Sequence, residues 1–101
     1  MASWSFLTNH GLVLAHLGGH PDSTGLEIAR AVGITERAAR AIVAALRAEG
    51  YVAREKVGRR NRYRVDAARP LRLPGDRAVP VGALLEVLGR DEHPAAPALS
   101  P

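Results

Sequence analysis

The 101-residue sequence contains no cysteine. Disulfides, thiolate nucleophiles and cysteine-ligated metals are therefore excluded, in keeping with a reducing interior. Aromatic residues are almost as scarce: one Trp, one Phe and two Tyr. Lysine is reduced to Lys56 alone beside thirteen arginines. That bias fits a GC-rich coding preference, and it also supplies forked guanidinium donors for phosphate or guanine. No apolar run approaches the roughly 18 residues of a membrane span, and no signal-peptide pattern follows Met1-Ala2-Ser3. The chain thus reads as soluble and cytoplasmic, with no membrane partner. There is no Gly-x-Gly-x-x-Gly, no P-loop and no His-Glu-x-x-His. Ser3, Ser5, Ser23 and Ser100 lack a nucleophile setting. His10, His16, His20 and His93 are scattered and read as surface or packed residues rather than metal ligands. No cofactor and no enzymatic activity is expected. The length allows one small domain, with little stability margin.

Charge is unevenly spread. Residues 30–64 hold ten cations, Arg30, Arg37, Arg40, Arg47, Arg54, Lys56, Arg59, Arg60, Arg62 and Arg64, against only Glu36, Glu49 and Glu55. Elsewhere four arginines face seven acids. A basic middle between acidic flanks is the footprint expected for an anionic polymer partner.

Local signals divide the chain. Residues 1–7 form an N-terminal arm holding Trp4, Phe6 and Leu7. Thr8 can cap a first helix running to about Leu17, with Leu12, Val13 and Leu17 inward and Leu14 on the flank. Leu7 and Leu12 have the spacing of a hydrophobic staple. Gly18-Gly19 reads as the stop. Thr24 with Glu27 is a capping box opening a second helix, with Leu26, Ile28, Ala29 and Val32 inward. Gly33 begins a sharp turn. Thr35 caps a third helix whose buried stripe is Ile34, Ala39, Ile42, Val43 and Leu46, ending at Gly50. Tyr51 to Val57 alternates as a strand, Gly58 to Asn61 reads as a hairpin tip, and Arg62 to Val65 as the return strand. Residues 66–80 carry Pro70, Pro74, Gly75 and Pro80 and read as an irregular linker. Residues 81–90 form a C-terminal helix, and 91–101 a disordered tail.

Residues 8–65 therefore predict an α+β winged helix-turn-helix, three helices plus a two- or three-stranded β-wing, with a short C-terminal helix added. Such a third helix fits a DNA major groove, and an arginine-tipped hairpin can reach the neighbouring backbone or minor groove. Thr35, Glu36, Arg37, Arg40 and Ala41 head the candidate DNA contacts on that helix. Arg37 and Arg40, three apart, project together. Ala41 and Ala44 keep the face smooth, and Glu36 either accepts from a cytosine amine or holds Arg40 at i+4. In the hairpin, Arg54 and Lys56 share one face, Arg62 and Arg64 share a face of the return strand, and Arg59, Arg60 and Asn61 lie at the tip. One module reads few bases, so two-fold pairing on a palindromic site is expected. Trp4, Phe6, Leu7, Val81, Leu84, Leu85 and Leu88 are the candidate dimer contacts; the alternative is that they cover the monomer's own core.

The motif Leu26-Glu27-Ile28-Ala29, Gly33-Ile34-Thr35, Leu46-x-x-x-Gly50-Tyr51-Val52 and Val57-Gly58-Arg59-Arg60-Asn61-Arg62-Tyr63 resembles the winged-helix core of MarR-like and ArsR-like bacterial transcriptional regulators, particularly small single-domain actinobacterial versions. The resemblance implies that Thr35 to Ala41 read the major groove, that Arg59 to Arg62 are the wing, and that the protein is a homodimer and a repressor. A small-molecule effector is compatible with the resemblance, but no residue indicates one. The expected function is sequence-specific binding of double-stranded DNA in transcription regulation. The competing readings are a protein-interaction module and a nonspecific architectural DNA binder. Duplex RNA is disfavoured because its major groove is too narrow for the helix.

Overall fold

The structure is a computed structural model that describes residues 5–75 and 78–89. Trp4, His93 and the tail 91–101 lie outside the described residues. The element order is α1 (Asn9–Gly19), α2 (Gly25–Val32), α3 (Glu36–Ala48), β1 (Val52–Val57), β2 (Arg60–Val65) and α4 (Val81–Gly89). The architecture is α+β: three helices, an antiparallel two-stranded wing and a short C-terminal helix.

Each of the first three helices begins where a side-chain oxygen replaces the missing intrahelical acceptor. Thr8 accepts from the Gly11 N–H at 3.2 Å, and Thr35 accepts from the Ala38 N–H at 3.1 Å. At α2 the capping box is complete. The Glu27 N–H donates to Thr24 Oγ1 at 3.1 Å and the Thr24 N–H donates to Glu27 Oε1 at 2.8 Å, which satisfies two of the orphan donors of the first turn. The bond from the Thr24 backbone holds the Glu27 carboxyl below its ordinary range.

The core joins Val13, Leu14 and Leu17 of α1, Ile28 and Ala29 of α2, Ala39, Ile42, Val43 and Leu46 of α3, with Val52 and Val81. One inward and one flank assignment are corrected. Leu26 is 43% exposed. Ile28, Ala29 and Val32 define the inner face of α2, and Leu26, two residues before Ile28, lies about 200° around the helix from it. Leu14, which the helical period places on the flank, is buried, because Leu71 of the linker comes back to the same cavity wall as Leu46 and Tyr51.

α1 ends within Gly18-Gly19, at Gly19 and two residues past Leu17, and is closed by the His20 N–H donating to His16 O at 2.8 Å. Gly18 also admits α4: a Cβ there would lie 3.0 Å from a Leu85 methyl. The turn after α2 does need glycine. Gly33 sits at φ +86° and its N–H returns to Ala29 O at 2.8 Å, so the chain reverses beside the small, buried Ala29. At the end of α3, Gly50 has φ +84°. The Tyr51 N–H reaches Leu46 O and the Gly50 N–H reaches Arg47 O, the double closure of a Schellman motif.

The hairpin register pairs Val52 with Val65, Arg54 with Tyr63, Lys56 with Asn61 and Val57 with Arg60. The tip is therefore Gly58-Arg59 alone, shorter than Gly58 to Asn61, because pairing continues as far as backbone donors and acceptors can meet. The described part of the linker, residues 66–75 and 78–80, is more organised than an irregular connection, with the Leu71 N–H on Val79 O and the Val81 N–H on Arg69 O, both at 2.8 Å. This strap is pinned to the end of α3: Tyr51 Oη donates to Pro70 O at 2.9 Å, and Arg69 Nη2 donates to Glu49 O at 2.8 Å.

Candidate nucleic-acid interface

The buried stripe of α3 fixes what its other side presents. Arg37, Arg40, Ala41 and Ala44 are exposed and Glu36 is half-buried. Thr35 stands at the start of this helix with its oxygen engaged as the cap. Both Nη2 and Nε of Arg40 donate to Glu36 Oε2, at 2.6 and 3.2 Å. Of the two roles open to Glu36, holding Arg40 is the one the free protein adopts. The pairing raises the guanidinium pKa, so Arg40 is a fixed cation. Its stem crosses the start of α2, where a Cβ on Gly25 would lie 3.1 Å from Arg40 Nε.

Between α3, the start of α2 and the wing lies a cleft of about 360 Å³ lined by Arg40, Arg47, Arg54, Arg59, Arg60 and Asn61, among others. Five arginines, two from the helix and three from the wing, thus line one cleft. The register explains Arg54, Asn61 and Tyr63 in the cleft, whereas Arg60 belongs to the other face and lines the cleft from the first position of β2. Residues opposite each other share a face, so Arg54, Lys56, Asn61 and Tyr63 lie on one side and Glu55, Arg60, Arg62 and Arg64 on the other. Arg60, first in β2 rather than in the turn, also donates through Nη2 to the Asp22 carbonyl at 3.4 Å. Arg62 faces the Asp22 carboxylate at 3.8 Å, and Arg64 pairs with Glu55 at 3.3 Å. Arg37 and Ala41 lie on the open helix face outside the cleft lining, as does Lys56 on the wing.

Arg47 is a cleft residue that sequence reasoning leaves out of the site. A signal for it exists: it stands seven residues after Arg40, two turns along one helix face. The Arg40–Arg47 pair gives the cleft its helical wall.

The candidate dimer residues divide. Phe6 is 91% exposed, and Leu7 is half-buried beside Gly11. Val81 is fully buried in the chain's own core and is withdrawn as an interface residue. Leu84, Leu85 and Leu88 are described on α4, with Leu85 packed against the core. Hydrophobic burial needs a cover for α1, and α4 supplies it. Val87, absent from the sequence-derived set, is 64% exposed on the same helix.

Among the described residues no group of three His, Asp or Glu side chains could hold a metal ion, and no helix is long and apolar enough to cross a membrane. His16 and His20 stack with ring centroids 4.6 Å apart.

A protein-family model described as PaaX-like protein matches residues 3–68. The match runs from before α1 through the whole of the wing. No curated protein matches the chain.

Proposed function

The chain belongs to the PaaX-like family, a family of transcriptional regulators, and from that premise we propose that it is a sequence-specific double-stranded DNA-binding repressor acting as a homodimer on a palindromic operator. The observation that carries the reading is that Arg40, Arg47, Arg54, Arg59 and Arg60 line one cleft beside the smooth outer face of α3. Guanidinium groups held in a concave wall suit a phosphodiester backbone crossing between the helix and the wing. With the backbone there, Arg37 and Ala41 face base edges in the major groove, where an arginine takes O6 and N7 of guanine. Arg40 leaves Glu36 to do the same, and Glu36 sets the geometry from which it leaves. Arg59 at the tip enters the minor groove, while Lys56 and Arg62 contact phosphate.

Pairing of two copies is assigned to the surface that includes Phe6, Leu84, Leu88 and Val87. The likeness of the motif residues to MarR-like and ArsR-like regulators supports the same assignment of helix and wing. No effector and no cofactor is part of this reading.

The test is binding of the purified protein to a random duplex library across a salt series, with sequencing of the retained pool. Enrichment of an inverted repeat with half-sites about one helical turn apart is the expected result. Salt-sensitive retention without enrichment would make the protein an architectural binder. No retention at low salt would make the arginine cleft a solvated surface and the domain a protein-interaction module.

A further inference from the structure

The α1–α2 turn carries a hydrogen-bond chain that ends at the wing. Ser23 is the one buried polar residue among those described. Its hydroxyl donates to His20 O at 2.9 Å, and its oxygen stands 2.8 Å from His16 Nε2. Because the hydroxyl hydrogen is spent on the carbonyl, the oxygen must accept, so the proton of His16 is on Nε2. His20 Nδ1 reaches His16 O at 3.3 Å. The turn closed in this way offers its next groups to β2. Pro21 O accepts from the Tyr63 N–H at 2.9 Å, Asp22 O accepts from Arg60, and the Asp22 carboxylate faces Arg62. The outer edge of the wing is thus held by two adjacent residues of one turn.

We propose that His16 and Ser23 are positioning residues for DNA binding: they latch the α1–α2 turn in the shape that docks the wing and aims Arg60 and Arg62. This rests on the DNA-binding reading above for its consequence, but not for the latch itself. His16 Nε2–H donates to Ser23 whether the imidazole is neutral or charged; it is the surroundings that disfavour the charge. Burial lowers the His16 pKa, the stacked His20 lowers it further, and Glu27 of α2, itself near Arg60 of the wing, opposes both. The native state therefore binds this proton less well than the unfolded chain. The stability His16 contributes to the native state is thus full above the ordinary histidine pKa of 6.5 and falls as pH drops below it.

The experiment has two arms. In the free protein, amide hydrogen exchange at Tyr63 N–H reads whether the turn holds the wing. Ser23→Ala is expected to speed that exchange roughly two- to tenfold, the scale of one hydrogen bond, with the α3 core amides unmoved and Ser23→Thr restoring the rate. His16→Gln keeps a donor without a proton to gain, so it is expected to retain the Tyr63 protection factor and to lose the fall in protection expected of wild type below about pH 6.5. Unchanged Tyr63 exchange in both Ser23→Ala and His16→Ala would overturn the latch. In the second arm, operator affinity is measured in a double-mutant cycle. Ser23→Ala is expected to weaken binding roughly two- to tenfold in wild type and by less than about twofold once Arg60 and Arg62 are both alanine. An equal loss in both backgrounds would refute action through the wing. If wild type binds no duplex, the functional reading falls while the exchange arm still decides the latch.

Discussion

Replacing Gly50 with alanine tests how α3 is joined to the wing. Two effects add. Gly50 lies at φ +84°, where an L-residue costs about 1 kcal/mol over glycine. The new Cβ would also stand 2.7 Å from Cζ and Nη2 of Arg69. That guanidinium is the end of a flexible side chain and can swing away, so the cost is what it leaves behind. It leaves its bond to Glu49 O at 2.8 Å and its place 5.8 Å from the Tyr51 ring centroid. For an exposed arginine these are worth roughly 0.5–1.5 kcal/mol together. Gly50→Ala should therefore cost about 2 kcal/mol in sum. Gly33 is the internal control. It has φ +86° and nothing within 4 Å of its Cβ position, so Gly33→Ala should cost about 1 kcal/mol. The gain from a stiffer unfolded chain is common to both and cancels in the comparison. The assay is urea unfolding followed by far-UV circular dichroism, with the slopes checked for constancy. In an Arg69→Ala background the cost of Gly50→Ala should fall to that of Gly33→Ala. Equal costs at the two glycines in the wild-type background, or no relief on removing Arg69, would refute the reasoning.

Further outcomes are expected for stability and for DNA binding. Thr24→Ala removes the oxygen that caps the Glu27 N–H and should destabilise the domain by about 1 kcal/mol, read in the same urea titration. Ala29→Phe places a ring where the side chain is 3% exposed between α2 and α3; overpacking should cost roughly 1–3 kcal/mol or more and lower the melting temperature. On DNA, Arg40→Ala should relax sequence preference in the selected pool. Arg60→Ala should instead weaken all sequences alike and reduce the log–log salt slope by about 0.9 for the one phosphate released. Arg47→Ala, within the same cleft, should behave like Arg60→Ala and not like Arg40→Ala.

What could be read from sequence and what could not separates along the chain by distance. Thr8, Thr24 with Glu27, Thr35, Gly33 and Gly50 each act on groups within a few residues of themselves, so the three helices and the turn between the last two are written where they occur. The period of Ala39, Ile42, Val43 and Leu46 turns the other side of α3 outward, and that alone is enough to put Arg37, Arg40 and Ala41 on an open face. The Glu36–Arg40 pair at i+4 is local in the same sense.

The rest depends on partners far along the chain. Gly18 reads only as a helix stop until Leu85, sixty-seven positions later, is found lying against it. Val81 reads as an interface residue until α4 is seen closing over α1. Residues 66–80 read as linker until Tyr51 and Glu49 are found holding Pro70 and Arg69. Arg47 joins Arg54 and Arg59 only because the Schellman turn at Gly50 folds the wing back along α3. His16 and Ser23 carry no sequence signal; their role rests on Pro21 and Asp22 meeting β2. Capping and helix periodicity are satisfied by near neighbours and are fixed by sequence alone. Burial, long-range hydrogen bonds and the gathering of like charges into one cleft depend on which surfaces meet, and only the tertiary packing decides that.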